Sequence, residues 1–85
     1  MHDYIQPNGL VTYSLTIPSG KIVCVFGMSD AGFSTGRIIY IGTCVNEIMK
    51  TTYSDAYNVA ASTSDQKILI KTTSNYGFNI TAFIL

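Results

Sequence analysis

Polar and apolar residues alternate along much of this chain with a period of two, the spacing that sends successive side chains to opposite faces of a β-strand. In Leu10 to Ile17 ("LVTYSLTI"), Val11, Tyr13, Leu15 and Ile17 fall on one face, and Thr12, Ser14 and Thr16 on the other. "PSGK" then predicts a turn, with Pro18 fixing φ and Gly20 free to take a positive one. Ile22 to Met28 ("IVCVFGM") is apolar on both faces. That predicts a central strand covered on both sides, or covered on one of them by a subunit contact. "SDAGFSTG" predicts a loop. "RIIYIGTCVNEIMKTT" predicts two strands, or one bent strand, divided near Gly42-Thr43 or Asn46-Glu47, with room for a single helical turn over Glu47 to Lys50. "SDAYNVAAS" reads as a polar turn and a short strand, "TSDQ" as a turn, "KILIKTT" (Lys67 to Thr73) as a strand with lysines on one face, "SNYG" as a tight turn, and "FNITAFIL" (Phe78 to Leu85) as the last strand.

Short strands at this spacing, rich in β-branched and aromatic residues and with almost no helical periodicity, predict an all-β fold. The expected architecture is a small antiparallel β-sandwich with seven or eight strands, one domain over residues 1–85.

The last strand carries a further implication. Phe78, Ile80, Ala82 and Ile84 share one face and belong to a core; Asn79, Thr81, Phe83 and Leu85 share the other, which starts polar and ends apolar. A two-layer sandwich has one inner face per sheet, and its outer face normally meets water. A second copy of the chain is the natural cover, so Phe83 and Leu85 are expected to form an oligomer interface; the alternative is that Phe83 is an ordinary exposed aromatic. An 85-residue chain buries only about 60% of its unfolded surface, so a partner subunit would add much to its stability. Symmetry statistics alone favour a twofold pair.

Composition narrows the functions. Lysine and arginine number 5, aspartate and glutamate 5, a balance that argues against nucleic acid and against an anionic membrane surface. Charged residues make up 12% of the chain, about half the ~25% usual in soluble domains, so hydroxyls, amides and subunit contacts must cover the surface. No apolar run approaches the ~20 residues of a membrane-spanning helix, and "MHDYIQPNGL" has neither the basic start nor the apolar core of a signal peptide. Cys24 and Cys44 both lie in apolar runs and are expected to be unbridged thiols.

Motif matches carry little chemistry. Gly32-Phe33-Ser34-Thr35-Gly36 fits the G-x-S-x-G nucleophile elbow, but a strand follows where that motif needs a helix, and the one histidine, His2, precedes it. The chain is therefore expected not to be an enzyme, with no catalytic residue. One histidine and two distant cysteines do not make a zinc site, and Asp30, Asp55 and Asp65 lack the ligand spacing of a calcium loop, so no metal and no cofactor are expected. Asn79-Ile80-Thr81 is a glycosylation sequon, idle without export. The aromatic residues are more informative. Tyr40, Tyr53, Tyr57 and Tyr76, with Phe33 and Asn75, lie in or beside stretches that read as polar loops, densest in "TTYSDAYN" (Thr51 to Asn58). Tyrosines flanked by short polar residues suit sugar recognition by ring stacking and hydrogen bonding, although tyrosine also packs readily in strands. Tyr53, Asp55, Tyr57, Asn75 and Tyr76 are the candidate ligand-binding residues.

"YSLTIPSGK", the glycine-rich "GFSTGRIIYIG" and the ending "KILIKTTSNYGFNITAFIL" together resemble the small β-sandwich domains at the tips of bacteriophage tail fibres and other phage receptor-binding proteins. The resemblance implies a jelly-roll-like sandwich, assembled as a homotrimer at the C-terminal tip of a longer fibre protein. It would be made in the host cytoplasm, carried on the virion, and would bind a bacterial surface glycan or protein. The alternative it leaves open is a structural trimerisation cap or virion decoration module without a ligand. A binder exposes clustered aromatics, whereas a cap keeps them on the threefold axis.

Overall fold

The computed structural model describes all residues from Met1 to Leu85. It is an all-β sandwich of eight antiparallel strands: β1 (His2–Ile5), β2 (Tyr13–Thr16), β3 (Ile22–Ser29), β4 (Gly32–Val45), β5 (Ile48–Tyr57), β6 (Val59–Ser64), β7 (Lys67–Thr72) and β8 (Phe78–Ile84). One sheet has five strands in the order β1-β8-β3-β4-β5, the other three in the order β2-β7-β6. The nested pairing of first with last strand, and of β2 with β7, is the jelly-roll-like part of the topology. β3, β4 and β5 then depart from a full jelly roll by running as a meander within one sheet.

The alternation sets the layers. Val23 and Val25 of β3, Ile38, Tyr40 and Cys44 of β4, and Phe78, Ile80 and Ala82 of β8 face inward from the larger sheet; Leu15, Val59, Ile68 and Ile70 meet them from the smaller one. Ile17, just beyond β2, is fully buried as its period of two requires. The fully apolar run Ile22 to Met28 is indeed a central strand, lying between β8 and β4. Polar groups in the core are paired: the buried Thr72 hydroxyl donates to the Gln6 carbonyl at 2.9 Å and accepts from the Gly9 amide at 3.1 Å.

Turns fall largely where glycine, proline, asparagine and aspartate predict them. Asn46 and Glu47 both take positive φ, 51° and 65°, the conformation of a two-residue hairpin between β4 and β5. No helical turn forms over Glu47 to Lys50; a strand follows the hairpin at once. Asn58, at φ 60°, turns the chain in one residue from β5 in the larger sheet to β6 in the smaller. Its side-chain amide donates to the Thr35 carbonyl at 2.7 Å, which holds that corner.

Two expectations, for Tyr40 and Ile84, need correction, and one strand that the alternation does not predict is added. The opening residues form an edge strand, β1, because Ile5 packs into the core beside Phe78. Tyr40 is not near a loop: it is buried, and its phenol pairs with the Thr51 hydroxyl at 2.9 Å. Gly42 makes room for that phenol, since a Cβ there would strike it. On β8, Phe78, Ile80 and Ala82 are buried as expected, but Ile84 is 39% exposed and Phe83 54%, so the chain covers the end of this strand only in part.

Cys24 and Cys44 are free thiols on opposite faces of the five-stranded sheet, Cys44 in the core and Cys24 toward the outside. Adjacent strands present them to different sides, which keeps the two sulfurs from a bond.

Candidate functional site

The outer face of the five-stranded sheet is built by two interruptions in its ladders. The first lies between Met28 and Ser29 of β3: Met28 faces Arg37, but Ser29 faces Gly32. Phe33 to Gly36 are left out of the pairing with β3, and Phe33 folds back over the sheet. Its ring stacks on Phe26 with centroids 5.9 Å apart and planes within 16°. Gly36 allows this path, because a Cβ there would run into the buried Phe78 ring.

The second interruption is a bulge in β5. Gly42 faces Thr51, but Ile41 faces Tyr53, so Thr52 is an extra residue. Before the bulge Met49 points into the core; after it Tyr53, Asp55 and Tyr57 sit opposite Ile41, Ile39 and Arg37, outward-facing neighbours of the buried Ile38 and Tyr40. The two devices converge on Arg37. Its guanidinium lies 5.5 Å from the Phe33 ring centroid and 5.7 Å from that of Tyr57, and its Nε donates to Asp55 Oδ2 at 3.0 Å. Phe26, Phe33, Arg37 and Tyr57 thus form one stack across β3, β4 and β5. The pair with Asp55 is partly exposed and contributes little stability by itself; its role is to neutralise the arginine within the stack.

Beyond Phe26, on the side of β8 and β1, the same face holds a groove of about 380 Å³. Phe26 and Met28 form its apolar wall, and Asp30, Asn79, Thr81 and His2 its polar one. The Asp30 carboxylate accepts from the Tyr4 phenol at 2.7 Å and from the Asn79 amide at 3.2 Å, one bond to each oxygen. The hydrogen bond to Asp30 holds the Tyr4 phenol above its ordinary pKa of 10.0, with smaller contributions from desolvation and from the aspartate's charge. His2 Nδ1 lies 3.3 Å from Thr81 Oγ1. A smaller hollow of about 180 Å³ lies on the back of the three-stranded sheet, among Thr12, Ala60, Ser62, Leu69 and Lys71.

The candidate residues read from the sequence divide into three places. Tyr53, Asp55 and Tyr57 share a face, but on edge strand β5 rather than in a loop. Asn75 and Tyr76 are exposed in the β7–β8 connection, at the other side of the sheet, with β3 and β4 lying between β8 and β5. They do not join the β5 tyrosines in one cluster. Phe83 and Leu85 lie at the far end of β8, beside Cys24 and Ile22 of β3. Phe26, Arg37, Asp30, Asn79 and His2 were not read from the sequence as ligand-binding residues. Phe26 and Met28 did carry a signal, the outward alternate positions of a central strand, and the tight turn at Asp30 placed a carboxylate at its end.

This is a sandwich whose outer face bears an aromatic stack beside a polar-walled groove. No family model and no curated protein matches the sequence. Among solved structures the fold is similar to one from a phage tail: the tailspike protein gp49 of Acinetobacter baumannii bacteriophage Fri1, described as a capsular polysaccharide depolymerase. The TM-score is 0.72 at 16% sequence identity; the match covers 98% of this chain and 16% of the tailspike. The similarity establishes the fold as one that occurs within a phage tailspike. It also overturns the expectation of a non-enzyme: the chain that contains this fold is described as an enzyme, and a sandwich lacking a recognisable motif is no ground for excluding one.

Proposed function

We propose that this chain is a receptor-recognition domain of a phage tail fibre or tailspike, carried on the virion, that contacts a glycan or protein on the bacterial surface. The observation that carries this reading is the exposed stack of Phe26, Phe33, Arg37 and Tyr57, flanked by Tyr53 and Asp55. Flat rings beside short hydrogen-bonding groups recognise the apolar faces and hydroxyls of sugars, and an exposed aromatic cluster of this kind marks a contact surface. The fold shared with a tailspike supports the phage setting. Asn75 and Tyr76 stand as secondary contacts from the β7–β8 loop. The domain is proposed as the tip of a longer fibre protein; it matches only 16% of the tailspike's length.

A second element of the reading is a homotrimer held through Phe83 and Leu85. It is supported by the partly exposed apolar end of β8 beside Ile22, three large side chains on a chain with little core to spare. If that contact were the whole function, the domain would be a trimerisation cap or virion decoration module. Binding to host cells and to purified surface glycans, measured with the mass in solution, separates the two. A trimer that binds neither is a cap; binding weakened by Tyr53→Ala or Tyr57→Ala in a folded protein supports a receptor domain.

A further inference from the structure

We propose that the groove between Phe26 and Asn79 seats one sugar residue of a neutral surface glycan, with Phe26 as its stacking platform and Asp30 and Asn79 as its hydroxyl clamp. This rests on the receptor reading above and narrows it to a place and a ligand class.

The groove has the two halves that sugar recognition needs. One wall is apolar: Phe26 is 41% exposed, and Phe33 holds it from behind, so the ring is presented as a fixed surface. The other wall is a preset hydrogen-bonding array. Each oxygen of Asp30 already accepts one bond, which fixes the carboxylate in place, and each retains a lone pair for a sugar hydroxyl. The Asn79 amide, anchored through one of its hydrogens, keeps its carbonyl oxygen and a second hydrogen free of protein partners. Thr81 and His2 add a hydroxyl and an imidazole on the same side. At about 380 Å³ the groove lies at the small end of ligand sites, which suits a sugar residue rather than the edge of a macromolecule.

Charge decides the class. Asp30 brings a negative charge to the groove, and no lysine or arginine lines it. The nearest cation in the stack, Arg37, is already matched by Asp55. A uronic acid entering here would meet the fixed Asp30 carboxylate, with His2 the one basic side chain in the lining, whereas a neutral hexose or N-acetylhexosamine offers hydroxyl donors to that carboxylate.

The groove runs along β8 toward its apolar end: Thr81 lies two residues from Phe83, roughly 7 Å at strand spacing, and Asn79 four residues, roughly 13 Å. A copy of the chain docked on Phe83 and Leu85 would border the Thr81 end of the groove and leave the Asn79 and Asp30 end open.

The test is a binding assay with neutral hexose, N-acetylhexosamine and uronic-acid oligosaccharides of equal length, run on the whole chain with its mass measured alongside. Wild type should prefer the neutral probes. Phe26→Ala and Asn79→Ala should each weaken binding about tenfold, the scale of losing one well-placed interaction. Phe26→Tyr should restore it, and Leu69→Ala on the opposite sheet should leave it unchanged. Wild type that binds no glycan and no host cell would sink the receptor reading and the groove together. Wild type that binds while the folded Phe26→Ala and Asn79→Ala variants bind equally well would remove the groove alone. Preference for the uronic-acid probes would overturn the neutral class. A fall in mass with Phe26→Ala would make this wall a contact between copies and overturn the sugar seat.

Discussion

The two sheets turn very different backs to the solvent. The outer face of the three-stranded sheet is made of Ser14 and Thr16 from β2, Ala60, Ser62 and Ser64 from β6, and Lys67, Leu69 and Lys71 from β7. Small hydroxyls and lysines cover it, with Leu69 as the one large aliphatic among them. The outer face of the five-stranded sheet carries Phe26, Phe33, Ile39, Ile41, Tyr53, Tyr57 and Phe83, with Arg37 and Asp55 paired among them and Asp30 and Lys50 toward its ends. Both backs belong to one small domain with one core, so core packing does not explain the difference. Apolar surface gathered on one side of a small protein marks a place of contact, and the hydroxyl-covered side marks what needs only water.

The contrast can be broken from the inside first. Phe78 is fully buried between the sheets, and Phe78→Ala should cost about 3–5 kcal/mol, most of the stability of a domain this size. Denaturant unfolding that shifts by less than 1 kcal/mol would mean that the inner face is not what holds the sandwich together. Next comes the apolar end of the outer face. With Phe83 half exposed in the single chain, Phe83→Asp should leave the strands intact but reduce the sedimenting mass to that of one 9.3 kDa chain. A wild-type protein already monomeric at micromolar concentration defeats the interface and leaves Phe83 a surface residue. Arg37→Ala removes two ring contacts and a partly exposed ion pair and should cost about 1 kcal/mol, sensitive to salt only in part. On the opposite back, Lys71→Ala should stay within about 0.5 kcal/mol of wild type; a larger loss would show that the polar back has a partner of its own.

The smallest effect is a pH dependence. The Tyr4 phenol is raised by its hydrogen bond to Asp30, and Tyr13 is raised first by burial and then by the charge of Asp3. In both cases the folded chain holds the proton more tightly than the unfolded one. Their contribution is thus fully present below pH 10.0 and is lost as pH rises through the folded-state values. Tyrosinate absorbance should therefore show Tyr4 and Tyr13 ionising at higher pH in the native protein than after unfolding, and a Tyr4→Phe, Tyr13→Phe double variant should lose that difference.

The strands with an unbroken alternation were legible in the sequence, because one face of each meets the core. β2, β3, β7 and β8 are of this kind, and Tyr13, Leu15, Ile68, Ile70, Phe78 and Ile80 fall where the period of two puts them. β1 was not legible: only Ile5 in it is buried, and one residue makes no pattern. β5 misled for a different reason. It is an edge strand with little burial, and its bulge at Thr52 shifts the outward positions from even numbers to odd. No fixed period survives such a shift, so Thr51 to Asn58 read as a loop rich in tyrosine. Tyr53, Asp55 and Tyr57 do share one exposed face, but on a strand and not in a loop. The groove was harder still. Asp30 and Asn79 are far apart in sequence and meet only because β3 and β8 pair in one register, which alternation alone does not set.

The bulge in β5 also gives this strand a spare residue. Every pair on either side of Thr52 would be kept if it were removed: Gly42 opposite Thr51, Ile41 opposite Tyr53. The gene can thus lose one codon here without turning Tyr53, Asp55 or Tyr57 inward, a deletion that a regular strand would answer by reversing every side chain beyond it. A Thr52 deletion should keep the folded circular-dichroism spectrum, whereas the same deletion at Val25, inside regular β3, should abolish it. Variation in length is then cheapest on the strand that presents the aromatic face, and a lineage under pressure to change what it touches can edit that strand without first rebuilding its core.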